Sequence, residues 1–501
     1  MLNSTFVARA TSLLPLLLAP AASAATYYVA PTGDPESAGT SRDSPGEFLE
    51  VLERLEPGDE VVLLDGVYPY QETIMLSRSG APGEPITFRA DEGAVPVFRG
   101  RGVEPDMGAI AAANDIGHLV FEGLWFEEWG SGGIELDWYQ RGCHDITIRY
   151  CVADSNGRNG FAPYNARNVT LEYNISSRNG YRPESWSSNF NLWANKGDVV
   201  VRGNVAFHGV DTSSHQTDGN GYILDLTLDE ADALFENNIG FANGGACIAI
   251  TDSGNATLVG NTCFDNAQAI ERLDELSFVD TCRGDVDGID VGERGWTFSG
   301  LSFRNNVLVP AAGKPGVRTS SSCSTPDFVQ EDNLITNDEQ IFFDAQAADF
   351  RPRPAGPLLD RVAPAGTFDS DIGFDPKCLK KETDPAKLRY SWWTHAPDLE
   401  YVRSIGGLRN CFEPRPPPHG DRQDLGAYEL SPDDCADAAP CDAVGDDPGR
   451  PQSDSSSGGC SVSGTAERAP LGILGVFALL GLCWRRARAT QHRRAPTARA
   501  R

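Results

Sequence analysis

The chain has 501 residues, of which 40% are apolar and 23% charged, a composition that supports a large ordered core and excludes a wholly disordered chain. Its net charge of −29 argues against nucleic-acid binding, because that function needs a basic surface. The 52 glycines and 33 prolines are spread along the chain, which favours many tight turns over one unstructured block.

The N-terminus has the layout of a secretory signal peptide. Arg9 supplies a charge, Leu13 to Leu18 form an apolar run, and Ala22-Ser23-Ala24 is a small-residue cleavage site. The apolar run is too short to span a bilayer, which argues against the alternative of a membrane anchor. We therefore expect residues 1–24 to be removed and the exported chain to begin near Ala25.

Residues 25–115 are predicted to form an N-terminal cap and the first coils of a repeat structure. Between Gly46 and Leu55 the apolar residues have helical spacing. Because a stack of coils must cover its open end, this helix is the predicted cap. Pro57-Gly58-Asp59 ends it, and Glu60 to Leu64 is the first predicted strand.

From about residue 116 the chain repeats a short apolar strand, an Asn or Asp, and a Gly-rich corner. Ile148 and Leu171 are 23 residues apart, and so are Phe235 and Leu258. Short strands at this spacing predict a stacked β-solenoid whose inward residues are buried only by the neighbouring coils. The predicted strands are 118–124, 145–149, 168–172, 198–202, 233–238, 256–261 and 296–301.

Asparagines fall at matching turn positions of these repeats, as in Asn237-Asn238, Asn261 and Asn305-Asn306. Asn tolerates the left-handed backbone conformation, and its amide can bond the equivalent residue of the next coil. We interpret them as structural ladder residues.

Export also fits the cysteines. Apart from Cys460 and Cys483, ten remain, and an even number in an oxidising compartment predicts disulfides. The neighbouring pairs Cys143–Cys151 and Cys435–Cys441 are candidate bridges, although the connectivity is not readable from the sequence.

Several motifs at the two ends of the repeat resemble secreted pectate-lyase-like proteins. They are Tyr27-Tyr28-Val29-Ala30-Pro31, Gly39-Thr40-Ser41, Pro57-Gly58-Asp59, Asp65-Gly66-Val67-Tyr68 and, at the far end, Asp424-Leu425-Gly426-Ala427-Tyr428-Glu429. The resemblance implies an all-β fold, a right-handed parallel β-helix, with its main body over residues 116–430. Periodicity alone would give only a solenoid.

The C-terminal part is predicted to attach the protein to a membrane. Residues 431–459 are rich in Asp, Pro, Ser and Gly and are a predicted linker. Residues 460–501 begin with Cys460, continue through the apolar run Ala469 to Trp484, and end in an Arg-rich cluster. This layout resembles myxobacterial C-terminal sorting tails, which implies processing at Cys460 and display at the cell surface. A plain stop-transfer helix is the alternative.

The longest insertions between predicted strands are residues 178–197 and 208–232, with a third at 265–294. Loops carry function on a rigid scaffold, and the first two flank one pair of coils. We therefore expect a substrate groove beside them.

The second insertion contains His215-Gln216-Thr217-Asp218-Gly219-Asn220-Gly221-Tyr222-Ile223-Leu224-Asp225, which resembles a motif of loosely classified bacterial β-helix proteins. His215 is a candidate general base, with a pKa suited to neutral pH. Asp218 and Asp225, with Asp211, are candidate Ca²⁺ ligands. Equally, Asp218 can be a turn-capping residue and Asp225 a strand end.

A comparison with the calcium-dependent family 9 pectate lyases argues against that family's mechanism. Where it has calcium-binding Asp residues, this chain has Asn159 in Asn159-Gly160-Phe161-Ala162 and Arg178, Asn179 and Arg182 in Arg178-Asn179-Gly180-Tyr181-Arg182. Its Lys base corresponds to Ile223. The resemblance therefore implies the same frame without the calcium and lysine chemistry.

These replacements suggest a basic strip formed by Arg158, Arg178 and Arg182 with Lys196. Arginine can hold a uronate carboxylate in a bidentate pair. Catalytic roles are predicted for His215, Arg182 and Lys196. Substrate contacts are predicted for five residues, with both tryptophans stacking on sugar rings: Arg158, Asn159, Arg178, Trp186 and Trp193. Alternatively, these arginines pair with surface carboxylates.

The favoured hypothesis is an exported, surface-anchored monomer that cleaves acidic polysaccharide by β-elimination. One alternative is a non-catalytic β-helix that binds glycan or matrix. Another is a glycoside hydrolase with Asp211 and Asp218 as paired carboxylates.

Overall fold

The structure is a computed structural model. It describes residues 24–100, 107–112, 115–136, 142–227, 231–280, 285–286, 289–290, 300–321, 328–353, 356–358, 372–385, 387–413, 426–428, 442–443 and 460–461. The predicted signal peptide, most of the linker and almost all of the sorting tail lie outside the described residues. Within the described part, no helix is long and apolar enough to cross a membrane.

The body is a parallel β-helix with three long sheets, and each full coil adds one strand to each sheet in turn. The first sheet consists of Thr26–Asp34, Glu60–Leu63, Ile86–Ala90, Gly117–Glu122, His144–Arg149, Arg167–Glu172, Lys196–Arg202, Ala231–Glu236, Ala256–Val259, Leu301–Arg304 and Phe328–Glu331. The second consists of Gly66–Tyr68, Pro96–Arg99, Trp125–Glu127, Val152–Asp154, Ile175–Ser177, Val205–Phe207, Ile239–Phe241, Thr262–Phe264, Val307–Val309 and Leu334–Ile335. The third consists of Ile74–Leu76, Ile110–Ala112, Ile134–Leu136, Phe161–Pro163, Phe190–Trp193, Tyr222–Asp225, Ile248–Thr251, Leu276–Asp280 and Val317–Ser321. The predicted all-β, right-handed parallel β-helix is confirmed.

The predicted 23-residue repeat is the register of the first sheet. Ile148 is paired with Leu171, and Phe235 with Leu258. These side chains point inward and are fully buried in one continuous core. Of the predicted strand 296–301, residues 296–299 lie outside the described part, and Leu301 begins the strand Leu301–Arg304.

A ladder of asparagine side chains stabilises one corner of the coils. At the corner between the first and second sheets, each Asn side chain donates to the next at about 3 Å. The members are Asn174, Asn204, Asn238, Asn261, Asn306 and Asn333. This confirms the predicted structural role of Asn238, Asn261 and Asn306.

The helix α1, Phe48–Leu52, is shorter than predicted but covers the open end of the coils as expected. Its buried Phe48 ring lies 5.6 Å from the Phe98 ring and 6.4 Å from the Tyr68 ring. Leu49, in contrast, is exposed.

The C-terminal segment covers the outer face of the second sheet. That face is apolar and buries residues such as Phe241 and Phe264 against Phe342 and Phe350 of the segment. Gly426-Ala427-Tyr428 also packs here, with the Ala427 N–H donating to Thr262. The segment contains α2, Leu399–Ser404, the 3-10 turns Glu339–Ile341, Ala345–Ala347, Pro376–Cys378 and Leu408–Cys411, and the strands Phe342–Asp344, Asp349–Pro352, Leu379–Lys381 and His395–Pro397. Two further antiparallel pairs join Asp285–Val286 to Ile289–Asp290 and Asp442–Ala443 to Cys460–Ser461.

The disulfides differ from the candidate pairs. Cys247 is bonded to Cys263, and Cys378 to Cys411. The predicted Cys143–Cys151 bridge is wrong, because neither sulfur is in a disulfide, and both side chains are buried against the core. The pair Cys435–Cys441 lies outside the described residues.

Candidate functional site

The two insertions that were predicted to form a groove lie side by side. Residues 178–189 and 208–221 connect the second sheet to the third in successive coils. The Gly219 N–H donates to the Ser187 carbonyl at 2.6 Å, and the Val210 N–H donates to the Asn179 carbonyl at 3.0 Å. The predicted common flank is therefore confirmed. Each insertion is shorter than predicted, because the strands Phe190–Trp193 and Tyr222–Asp225 belong to the third sheet.

The third insertion closes one end of this flank. Its residues 265–275 also connect the second sheet to the third, and Ile270 and Leu273 pack over Ile223 and Ala249. Ile223, the position that the resemblance aligns with the family 9 lysine, is therefore buried in a small apolar cluster.

His215 lies at the tip of the second loop and is exposed. Its ring contacts the Trp186 ring of the first loop edge-on, with centroids 4.8 Å apart. Trp186 is itself 46% exposed. The pair forms an aromatic and imidazole surface at the rim of the flank, open to a ligand.

A polar cluster lies below this rim, on the outer face of the third sheet. Asn159 is fully buried, and its Nδ2 donates to Glu135 Oε1 at 3.0 Å and to the Tyr164 hydroxyl at 2.5 Å. Its Oδ1 accepts from the Ser188 N–H and from Asn191 Nδ2, both at 3.0 Å. All four hydrogen bonds of the amide are internal, so Asn159 positions its neighbours rather than binding substrate directly.

Asp218 lies in the same cluster and is almost fully buried. Burial, followed by the nearby Asp211 carboxylate, raises the pKa of Asp218 to about 7. Its Oδ2 accepts from Thr217 Oγ1 at 2.8 Å. A carboxyl group with this pKa carries a proton part of the time at neutral pH, so it can act as an acid. From the sequence, Asp218 is a candidate for three other roles: a Ca²⁺ ligand, a turn-capping residue and one of two paired hydrolase carboxylates.

The three predicted calcium ligands are not brought together. Asp211 accepts backbone N–H groups of Ser213, Thr217 and Asp218 at 2.7 to 3.0 Å. Asp218 precedes the strand Tyr222–Asp225, and Asp225 ends it, at the opposite edge of the third sheet. In the described part of the chain, no group of three donors within 4.8 Å includes these residues.

Arg178 is not available to substrate, contrary to the prediction. It is 3% exposed, its Nε donates to Asp154 Oδ1 at 2.9 Å, and its Nη1 donates to Glu382 Oε2 at 2.8 Å. Burial lowers the pKa of Arg178, but the two carboxylates outweigh that effect and raise it. The group is a structural ion pair between a corner of the helix and the C-terminal segment.

Lys196 also lies apart from the predicted strip. It begins the first-sheet strand Lys196–Arg202, on the far side of the third sheet from the two loops. Trp193 ends its third-sheet strand at the same far edge, where its ring contacts the edge of Tyr164 with centroids 6.1 Å apart. Trp193 thus borders the polar cluster, whereas Lys196 lies beyond the following corner, in the first sheet.

Arg158 and Arg182 do lie together on the loop flank. The Arg182 N–H donates to the carbonyl of Gly157 at 2.9 Å, which places Arg182 one coil beyond Arg158. Thr212 of the next coil in turn donates to the Arg182 carbonyl. Both side chains are half-buried.

Two further arginines contact these loops and are not marked by any motif in the sequence. Arg272 is exposed and donates to the carbonyls of His215 and Gln216 at 2.5 and 2.7 Å. Arg389, also exposed, lies over the Tyr181 ring at 3.7 Å. The C-terminal segment places Arg389 over Tyr181, a residue about two hundred positions earlier in the sequence. No local motif can predict a contact between residues so far apart.

The chain is similar to several known proteins. Residues 109–339 match the family described as right handed beta helix region. The chain is 26% identical over 313 residues to pectate lyase PEL9 of Emericella nidulans, which covers 50% of this chain and 75% of that protein. It is 24% identical over 407 residues to pectate lyase L of Dickeya chrysanthemi, covering 70% and 87%. Among solved structures it is similar to pectate lyase Pel9A, with 18% identity, a TM-score of 0.46 and coverage of 81% and 96%.

Proposed function

Because the chain has a pectate-lyase-like right-handed parallel β-helix, we propose that it is an exported polysaccharide lyase acting on uronic-acid glycans at the cell surface. One observation carries this proposal. On a protein with a net charge of −29, the exposed Arg272 and Arg389 form no ion pair with a carboxylate among the described residues, although Arg272 lies near enough to Asp218 to lower its pKa. Arg272 lies beside His215 and its exposed partner Trp186, and Arg389 lies over Tyr181 of the first loop. Exposed guanidinium groups next to an exposed aromatic ring are the combination expected for an anionic sugar chain.

The proposed reaction is β-elimination at a uronate. Arg182 or Arg158 neutralises the sugar carboxylate, which makes the neighbouring C5 proton more acidic. His215 removes that proton, the C4–O4 bond breaks, and a C4–C5 double bond forms. The departing O4 takes a proton, for which Asp218, with a pKa of about 7, is the candidate donor. Lys196 and Arg178 are not included, because of where they lie.

The test is the rise in ultraviolet absorbance from unsaturated uronate ends. Pectate, alginate and glycosaminoglycans are each incubated with the full chain, with added Ca²⁺ and with a chelator. We expect product from at least one substrate, lost in His215→Ala and kept in Arg149→Ala, a matched change on the first sheet. Absence of product from every substrate under both conditions would overturn the proposal.

A second candidate function is glycan binding without cleavage. It is favoured by Ile223, which is packed in an apolar cluster where the family 9 lyases have their base, and by Arg178, which is neutralised internally. Binding of the same polysaccharides without product, and with His215→Ala unchanged, would select it. Release of reducing ends without unsaturation would instead select the hydrolase alternative with Asp211 and Asp218.

A further inference from the structure

His118, His144 and Asp145 meet on the outer face of the first sheet, away from the loops described above. They belong to successive coils: His118 to the strand Gly117–Glu122, and the other two to His144–Arg149. The register pairs His144 with Gly117, which places His118 opposite Asp145. Both His118 and Asp145 adopt the left-handed conformation, with φ of 53°, at this point.

The two imidazoles direct the same ring nitrogen at one carboxylate oxygen. His144 Nδ1 lies 2.7 Å from Asp145 Oδ2, and His118 Nδ1 lies 3.6 Å from it. The rings are nearly perpendicular, with centroids 5.0 Å apart. The three donor atoms all lie within 4.8 Å of one another, a separation that allows them to share one metal ion.

The surroundings orient these groups. Asn168 of the next coil donates from Nδ2 to Asp145 Oδ1 at 3.0 Å, which leaves Oδ2 facing the imidazoles. Ligating carboxylates are commonly held by such a neighbouring hydrogen bond. The His144 ring lies directly over Gly117, where an added Cβ would be 2.3 Å from the ring carbon Cε1. The placement of His144 therefore depends on glycine at position 117.

We propose that His118, His144 and Asp145 bind a divalent transition metal ion, Zn²⁺ in the first instance. Two imidazole nitrogens and one carboxylate oxygen form a ligand set that suits Zn²⁺, with water in the remaining position. The side chains are 20%, 29% and 37% exposed, so solvent can reach that position. Because the ligands come from two successive coils, the bound ion would cross-link those coils. This site is independent of the proposed lyase activity.

The experiment is a calorimetric titration of the untagged, chelator-treated full chain with Zn²⁺, together with thermal unfolding with and without the ion. We expect one site and a Tm that rises with Zn²⁺. His144→Ala should weaken binding at least about tenfold and abolish the rise in Tm. His215→Ala, an exposed histidine elsewhere, should leave both unchanged.

A second variant distinguishes loss of the metal site from misfolding of the protein. Asp145→Asn keeps the Oδ1 acceptor for Asn168 and removes the charge, so it should fold and still lose Zn²⁺ affinity. Absence of Zn²⁺ binding in the unsubstituted chain would overturn the proposal. So would equal affinity in a folded His118→Ala/His144→Ala double variant.

Discussion

The outer face of the first sheet and the loop rim beside the third sheet differ in the partners of their arginine side chains. On the first sheet, arginines pair with glutamates of neighbouring coils, as in Arg89 with Glu60 at 2.6 Å and Arg149 with Glu122 at 2.8 Å. Among the described residues, the exposed Arg272 and Arg389 beside the two loops form no ion pair, and their closest partners are carbonyl groups and an aromatic ring. The arginine charges on the first sheet are therefore neutralised by glutamates, whereas those at the loops are exposed to solvent.

A third arrangement lies between these two. Arg178 is at the same corner as the rim loops, yet it is buried between Asp154 and Glu382. Position beside the two loops is therefore not sufficient to leave an arginine exposed. The distinction between a structural and a binding arginine rests on burial and on the presence of a carboxylate partner, and both can be tested by substitution.

The largest effect should come from Asp154→Ala. It leaves the buried Arg178 guanidinium with Glu382 alone, and it also removes the acceptor of the Ser177 hydroxyl, which lies 2.6 Å away. Loss of one partner of a buried pair costs about 3–5 kcal/mol in the free energy of unfolding. The matched change on the first sheet, Glu60→Ala, breaks a pair that is about one third exposed and should cost less than about 1 kcal/mol. Urea unfolding of both variants measures the difference, and equal losses would contradict this account of the two faces.

The second prediction concerns acid stability at the corner that anchors the C-terminal segment. His208 Nε2 accepts the N–H groups of Thr394 and His395 at 2.9 and 3.1 Å, so the ring must be neutral in the folded protein. Burial lowers the pKa of His208 to about 3, from an ordinary value of 6.5. Below pH 6.5 the unfolded chain binds a proton that the folded chain does not, so stability falls as the pH decreases from 6.5 towards 3.

Between pH 7 and pH 5 this histidine should therefore account for a loss of about 2 kcal/mol. His208→Gln should remove that loss, and the difference between the two proteins isolates it from other titrating groups. Denaturant unfolding at a series of pH values is the measurement. Parallel pH dependences for the two proteins would show that His208 is not the group responsible.

The third prediction separates the two kinds of exposed arginine by ligand binding. Arg272→Ala/Arg389→Ala should weaken binding of an acidic polysaccharide such as polygalacturonate at least about tenfold, because each charge-assisted hydrogen bond contributes about 1.5–3 kcal/mol. The control, Arg149→Ala/Arg202→Ala, removes the same charge from the first sheet and should bind normally. If both double variants lose affinity equally, the effect is one of net charge and the rim is not a specific site.

Much of the fold could be predicted because every coil repeats the same local constraint. The pairing of Ile148 with Leu171 is visible as a 23-residue spacing, and the ladder of Asn238, Asn261 and Asn306 is visible as a recurring turn residue. Each of these signals is repeated along the chain. A strand assigned wrongly in one coil can therefore be recognised from the spacing in the adjacent coils.

The site was harder to predict because it depends on which corner of a coil each residue occupies and on contacts that occur once. Lys196 follows Arg182 closely in sequence, but a whole third-sheet strand separates them. The partner Glu382 of Arg178 is 204 residues further along the chain, and Arg389 reaches the rim from the same segment. No periodicity encodes such contacts, and they decide which arginines are free to bind.

The smallest expected effect concerns the exposed aromatic ring at the rim. Trp186→Ala should weaken polysaccharide binding by a factor of about three to ten, since an aromatic contact contributes about 0.5–1.5 kcal/mol beyond burial. The unfolding free energy should hardly change, because Trp186 is 46% exposed and contacts chiefly His215 across the loops. Val329→Ala, which removes a 54% exposed side chain from the first sheet, is the control and should affect neither quantity. Because surface hydrophobic residues are common in soluble proteins, only a loss confined to Trp186 would show that its exposure serves a ligand. Unchanged binding in Trp186→Ala would place the sugar contact elsewhere, with half-buried Trp193 beside the polar cluster as the next residue to substitute.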